Sequence, residues 1–120
     1  MINDEFPIGI AKLLAGESFT IPSHLAFGST SFTPASGDTY LPGEFDRNAV
    51  SVSRVSNQVK FVGSRTSSEN NNETLYNTAL VNSSVLASSN NIMADNGFAS
   101  LLLTTDFDTE IEYWFTILSE

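Results

Sequence analysis

Residues 50–61, VSVSRVSNQVKF, carry the strongest constraint on the fold. Val50 and Val52 alternate with Ser51 and Ser53, Ser56-Asn57 sits at a reversal, and Val59 and Phe61 resume the alternation. Period two places every second side chain on one face of an extended chain, and two such runs joined by two turn-forming residues make an antiparallel hairpin. A lone hairpin is marginal in water, so its apolar face requires further strands and a covering layer.

The same character holds from residue 18 onward. β-Branched and aromatic residues alternate with Ser, Thr and Asn, and Gly, Pro and Asn clusters interrupt them at short spacings. This pattern predicts strands over 18–27, 49–55, 58–64, 74–82, a stretch starting at 93 or 98 and ending at 104, and 110–118. The segments SSENNNE and NSSVLASSNN, polar and poor in charge, read as exposed loops. Only 6–14 reads as helix. Pro7 suits a first turn, Ile8, Ala11 and Leu14 or Ile10, Leu13 and Leu14 give a short apolar side, and Gly16 is a natural stop. A helix this short must dock on the rest. With 120 residues and 41% hydrophobic content, one core is expected. The reading is a single all-β domain over 1–120: an antiparallel β-sandwich of jelly-roll or Ig-like kind over 17–120, preceded by an N-terminal arm or helix over 1–16.

The closing stretch TTDFDTEIEYWFTILSE divides by parity. Phe107, Ile111, Tyr113, Phe115 and Ile117 share one face, which must be the core side. The opposite face starts as Asp106, Asp108, Glu110 and Glu112, then changes to Trp114, Thr116 and Leu118. Four like charges at alternate positions are tolerable in water, beside a cation or opposite a partner's basic groups. Beyond Glu112 both faces are apolar, so Trp114 and Leu118 need a cover, either the N-terminal helix or another subunit. Arg54 and Arg65 fall at opposite ends of the hairpin, in water or on a neighbour. With Trp114, Leu118 and Arg47 they form the expected interface set.

Charge and composition exclude several classes. The net charge is −9, and the only Lys and Arg residues are Lys12, Arg47, Arg54, Lys60 and Arg65, too few and too scattered for nucleic acid or anionic lipid. The absence of cysteine excludes disulfides and thiolate metal sites. No run approaches the roughly 20 apolar residues needed to span a bilayer. The start Met1-Ile2-Asn3-Asp4-Glu5 is acidic where a secretory signal is basic, which predicts synthesis in a cytoplasm.

Reactive chemistry finds little purchase. His24 is the only histidine, it falls within a predicted strand, and no nucleophile-elbow motif accompanies it. The run Asp106-x-Asp108-x-Glu110 lacks the glycine and the spaced glutamate of a calcium loop, so an exposed acidic face is the reading preferred. Carboxylate pairs for glycoside hydrolysis can be drawn from the same acids, with no cleft to favour them. Neither Gly28 nor Gly43 lies in a phosphate-cradling turn. The sequons at Asn72 and Asn82 matter only in a secreted eukaryotic chain. No catalytic residue, cofactor or metal is expected. Tyr40, Phe45, Tyr76 and Trp114 could stack on a sugar, which keeps a glycan-binding module as the alternative.

One segment carries a resemblance. FGSTSFTPASGDTYLPGEFDRNAVS is similar to a stretch common in small structural proteins of tailed-phage virions: a strand ending in a Gly turn, a Pro, then Asp-Thr-x-Leu-x-x-Glu-x-x-Arg leading into a Val-rich hairpin. The matching residues are Gly28, Pro34, Asp38, Thr39, Leu41, Glu44 and Arg47, and the likeness extends over the preceding helix, TLYNTALVN and the closing Asp108-Thr109…Trp114. It departs at Thr30, where glycine is usual, and at Asn77 and Ala79, where an acid and then glycine are usual. The resemblance implies a non-enzymatic virion component of the tail, fibre, baseplate or capsid-decoration type, built from contacts with copies of itself and with other virion proteins. In the alternative it implies a receptor- or glycan-binding module at a virion tip, with a host glycan as ligand. The motif consists of turn formers and a salt-bridging pair, so Gly28, Pro34, Asp38 and Glu44 are read as a loop frame. Glu44 and Arg47 are expected to pair at an exposed loop end, and Asp38 to cap its own backbone.

Overall fold

The computed structural model describes residues 1–86 and 91–118. Its elements are α1 (Glu5–Leu14), β1 (His24–Gly28), β2 (Glu44–Ala49), β3 (Ser51–Val55), β4 (Gln58–Arg65), a 3₁₀ turn at Ser67–Glu69, β5 (Glu73–Val81), β6 (Ile92–Leu103) and β7 (Thr109–Thr116). Two antiparallel sheets, ordered β2-β1-β5-β6 and β3-β4-β7, pack as a sandwich with one N-terminal helix. Among the described residues, seven strands divided four and three match an Ig-like count, although the order differs from that of Ig domains.

The hairpin forms as the alternation requires, with Val55 opposite Gln58 and Ser56-Asn57 between them. Ser56 takes a positive φ of 54°, as the first central residue of a type II′ turn does. Two expectations change. Of 18–27 only His24–Gly28 is strand. Pro22 has no N–H to give a ladder, and Phe19 lies instead against Gly9 of α1, where any Cβ would strike its ring. Residues 44–49, expected to fall mostly in a loop, form edge strand β2. At Val50 the chain leaves one sheet for the other, and the Val50 N–H is held by the Ser23 carbonyl at 3.0 Å.

Between the sheets, Leu25, Phe27, Leu75 and Leu103 pack against Ile111 and Tyr113, while Leu80 and Ala94 meet Phe61 and Phe115. The sheets approach closely at Gly63, where a Cβ would lie 2.6 Å from that of Leu25. A bulge between Leu75 and Asn77 reverses the facing of β5, so Leu75 and Leu80 both point into the sandwich while Ala79 and Val81 point out. That outer face is not left to water. The long connection 29–43 lies over it, with Leu41 buried and Phe32 packed on Ala26, Ala79, Val81 and Ile92. The SSENNNE segment folds into the 3₁₀ turn and the start of β5. The NSSVLASSNN reading lies partly outside the described residues, at 87–90.

Candidate functional site

The predicted loop frame assembles, by contacts that differ from those expected. Gly28 does not turn the chain with a positive φ; it makes room, because a Cβ there would strike the Asn77 side chain and come within 2.8 Å of the Pro42 carbonyl. Asn77 donates to the Thr30 backbone carbonyl and so ties β5 to the start of the 29–43 connection. Pro34 packs over Gly97 of β6. Asp38 accepts from the Ala35 N–H at 2.8 Å, three residues back, and its own carbonyl accepts from the Asn3 amide, joining the loop to the N-terminal segment.

Glu44 and Arg47 do pair, yet not at an exposed loop end. Arg47 Nε donates to Glu44 Oε2 at 2.7 Å and Nη2 to Oε1 at 2.9 Å, with the two side chains 2% and 3% exposed. The expectation of Arg47 at an interface is corrected: its fork is occupied inside the fold, and Nη1 also reaches the Ser83 carbonyl at 3.0 Å. Arg65 is corrected in the same way. It is buried, pairs with Asp46, donates to Asn70 Oδ1 and to the Glu69 carbonyl, and sets its guanidinium 5.6 and 5.2 Å from the Phe27 and Phe45 ring centres. Planar guanidinium can lie on aromatic faces while its edge is satisfied by oxygen, which makes it the cation suited to a core. Arg54 alone of the three is exposed, held by the Ser56 carbonyl.

The closing strand supplies the surface. On β7, Glu110, Glu112, Trp114 and Thr116 are exposed while Ile111, Tyr113 and Phe115 are half-buried. Asp106 and Asp108 lie in the turn before the strand, so the expected ladder of four carboxylates shortens to two. Asp108 caps the Ser67 N–H at 2.6 Å. Glu112 accepts from Trp114 Nε1 at 2.8 Å and faces Lys60, whose ammonium lies 5.1 Å from the centre of the Trp114 ring. Trp114 is 50% exposed and Leu118 81%. As expected, the helix reaches this end of the strand: Phe6 meets Phe115 edge to face at 4.9 Å. It does not close it. An apolar groove of about 500 Å³ remains between α1, the 19–22 segment and the ends of β4 and β7. A second groove of about 330 Å³ lies between β7 and β6, and Trp114, Phe115 and Ile2 border both.

A buried polar cluster lies elsewhere in the fold. Asp95 on β6 is fully buried beneath the 29–43 loop, and among the described residues neither of its carboxylate oxygens accepts a hydrogen bond. Burial first, then the adjacent Asp38 carboxyl, pushes its pKa up to about 8. Protonated, Asp95 becomes a donor to Asp38. Tyr113 hydrogen-bonds Thr78, and burial raises its pKa. His24 pairs with the adjacent Ser23 hydroxyl at 2.8 Å, and among the described residues no carboxylate bonds to its ring. No group of three or more His, Cys, Asp or Glu able to hold a metal occurs among the described residues. Tyr40 is exposed on the loop side of the sandwich and Trp114 on the far sheet, so these two aromatics do not form one stacking platform. Among the described residues, no helix is long and apolar enough to cross a membrane.

Trp114 and Leu118 are exposed, as the parity of the closing stretch implies, but its placement of Ile117 on the core side is corrected: Ile117 lies past the end of β7 and is 59% exposed. Leu13 borders the same groove from the helix expected to cover this end, whereas Ile21 comes to it from the 19–22 segment, which no linear pattern connects to the closing strand. No family model, no curated protein and no solved structure matches the chain.

Proposed function

We propose that this chain is a non-enzymatic structural component of a tailed-phage particle, held in place by repeated contacts with copies of itself and with other particle proteins. The observation that carries the reading is the apolar surface around the end of β7. Leu13, Ile21, Val52, Trp114 and Ile117 all border one groove while remaining 44% exposed or more, and Leu118 extends beyond it. Single exposed apolar residues are ordinary, but a contiguous set on a chain of net charge −9 is what a protein contact requires.

The frame residues support the same reading. Gly28, Pro34, Asp38, Glu44 and Arg47 engage one another or nearby backbone and serve to fix the 29–43 loop over the sheet. Side chains used in this way serve shape. Placement in a tail, fibre, baseplate or capsid-decoration layer comes from the resemblance of 27–51 to such proteins, with the particle as the site of action and the host cytoplasm as the site of synthesis.

The test is quantitative mass spectrometry of gradient-purified particles from the source culture, with tagged wild-type, Trp114→Ala and Leu118→Ala chains supplied during infection. The expected result is wild-type chain at a fixed integer ratio to a major particle protein, with both variants folded but depleted from particles. Particles free of the chain would overturn the proposal.

A further inference from the structure

The two grooves beside β7 have the outline of a missing strand. Between them they are lined by every residue of 111–117. Successive side chains of a strand point to opposite faces, so consecutive residues line a cavity only where it follows the strand's edge. β7 is an edge: β4 pairs with one side of it, and among the described residues no strand pairs with the other.

The remaining edges are guarded. β3 is five residues long and carries Arg54, β2 is bent by the bulge opposite Phe27-Gly28 and carries the partly exposed Asp46, and β6 is partly covered by the Ile2–Ala94 bridge and the Asn3 N–H to Met93 carbonyl bond. β7 runs eight residues and past Glu112 is apolar on both faces. An open edge of that kind is a template for another chain.

We propose that β7 pairs antiparallel with β7 of a second copy, across a two-fold axis at Trp114, which would join two three-stranded sheets into one of six strands. This rests on the assembly role proposed above and names its contact. Trp114 is the natural centre because it borders both grooves. The register then sets Ile111 against Ile117, Tyr113 against Phe115, Glu112 against Thr116 and Glu110 against Leu118.

Charge selects the occupant. A register centred on Ile111 would set Glu110 against Glu112, whereas the Trp114 register sets each acid opposite a neutral residue. A basic partner strand would have to compete for Glu112, which already faces Lys60 and accepts from Trp114 Nε1. Two copies also share the same net charge of −9, so added salt strengthens their association, while it would weaken the binding of a basic strand.

The chain has no cysteine, so the register can be read by single-cysteine trapping of the full chain. Glu112→Cys and Thr116→Cys chains, each exposed at the new residue, are mixed and treated with a short bismaleimide. The expected product is the mixed dimer, several-fold above that from either chain alone and above a Ser53→Cys plus Thr116→Cys control on the far edge. Sedimentation should show a dimer that tightens between about 50 and 500 mM NaCl and that Trp114→Ala weakens more than tenfold.

A chain that stays monomeric at high concentration and salt, or cross-linking no greater than the control, overturns the β7 pair. That result would leave the particle role standing if the chain is found at fixed copy number in particles. A trapped dimer of a chain absent from particles would sink the particle role and keep the pair.

Discussion

Glu44 and Arg47 lie three residues apart on one strand and meet through two hydrogen bonds with both side chains buried. Residues i and i+3 of a regular strand face opposite ways, so the pair depends on a defect. Gly28 opposes Glu44 and Phe27 opposes Asp46, which makes Phe45 an extra residue that restores Glu44 and Arg47 to one face. The same bulge sends Phe45 into the core and leaves Asp46 to Arg65. Removing one partner of a buried pair strands the other charge, at about 3–5 kcal/mol. Arg47→Ala is expected to fall in that range in urea unfolding, and Glu44→Gln/Arg47→Met to recover more than half. A double variant that loses the sum of the Arg47→Met and Glu44→Gln costs would show that the pair is not coupled.

Gly28 is needed for space. A methyl group there meets the Asn77 side chain and the Pro42 carbonyl at once, so relaxation must move backbone. Gly28→Ala should cost about 1–3 kcal/mol by the measure of overpacked interiors. Because Asn77 also donates to the Thr30 carbonyl, the loop should loosen, and hydrogen exchange over 29–43 is expected to accelerate ahead of exchange in β4. Uniform acceleration across both would contradict a local clash.

Much of this was legible in the sequence, and the parts that were not share a cause. The hairpin, the helix and the parity of the closing strand follow from periodicities that act over neighbouring residues. Strand β2 was hidden because Glu44, Asp46, Arg47 and Asn48 look like loop residues, and their backbone ladder to β1 and their partners, Arg65 among them, come from segments distant in sequence. Arg65 looked like a surface cation at a ribbon's end for the same reason: Asp46, Asn70 and two aromatic rings come to it from distant segments. Gly28 was singled out correctly and explained wrongly, since a close approach leaves no mark in the sequence that a turn would not also leave. The surface at β7 was half visible, through Trp114 and Leu118, while the helix and hairpin residues around it are joined to it only by the fold.

Ser56 holds a φ of 54° with a β-carbon in place, a region that L-residues occupy at a cost of roughly 1–2 kcal/mol. Glycine removes that cost and returns part of it as unfolded-state entropy. Ser56→Gly is therefore expected to stabilise the chain by up to about 1 kcal/mol, seen as a thermal midpoint raised by a few degrees with the hairpin register unchanged. The Arg54 bond to the Ser56 carbonyl involves backbone and survives the change. A lower midpoint would mean that the serine hydroxyl has a role the turn geometry does not account for.

Asp95 should make stability depend on pH in the direction opposite to most acids. Buried beside Asp38, with its pKa pushed up to about 8, it keeps its proton in the folded chain well above the roughly 3.9 at which the unfolded residue loses it. Between those values the folded state binds more protons, so unfolding free energy falls as pH rises, is greatest below about pH 4 for this group and levels off above about 8. The amino group at Met1, whose bond is to the Asp95 carbonyl, pulls the pKa the other way and is outweighed. Asp95→Asn cannot ionise and can still donate to Asp38. The thermal midpoint of the wild-type chain is expected to drop between pH 5 and pH 9 by roughly 5–10 °C more than that of Asp95→Asn. Parallel pH curves for the two proteins would mean that Asp95 ionises in the fold without penalty, and that the 29–43 loop is not held over a protonated acid.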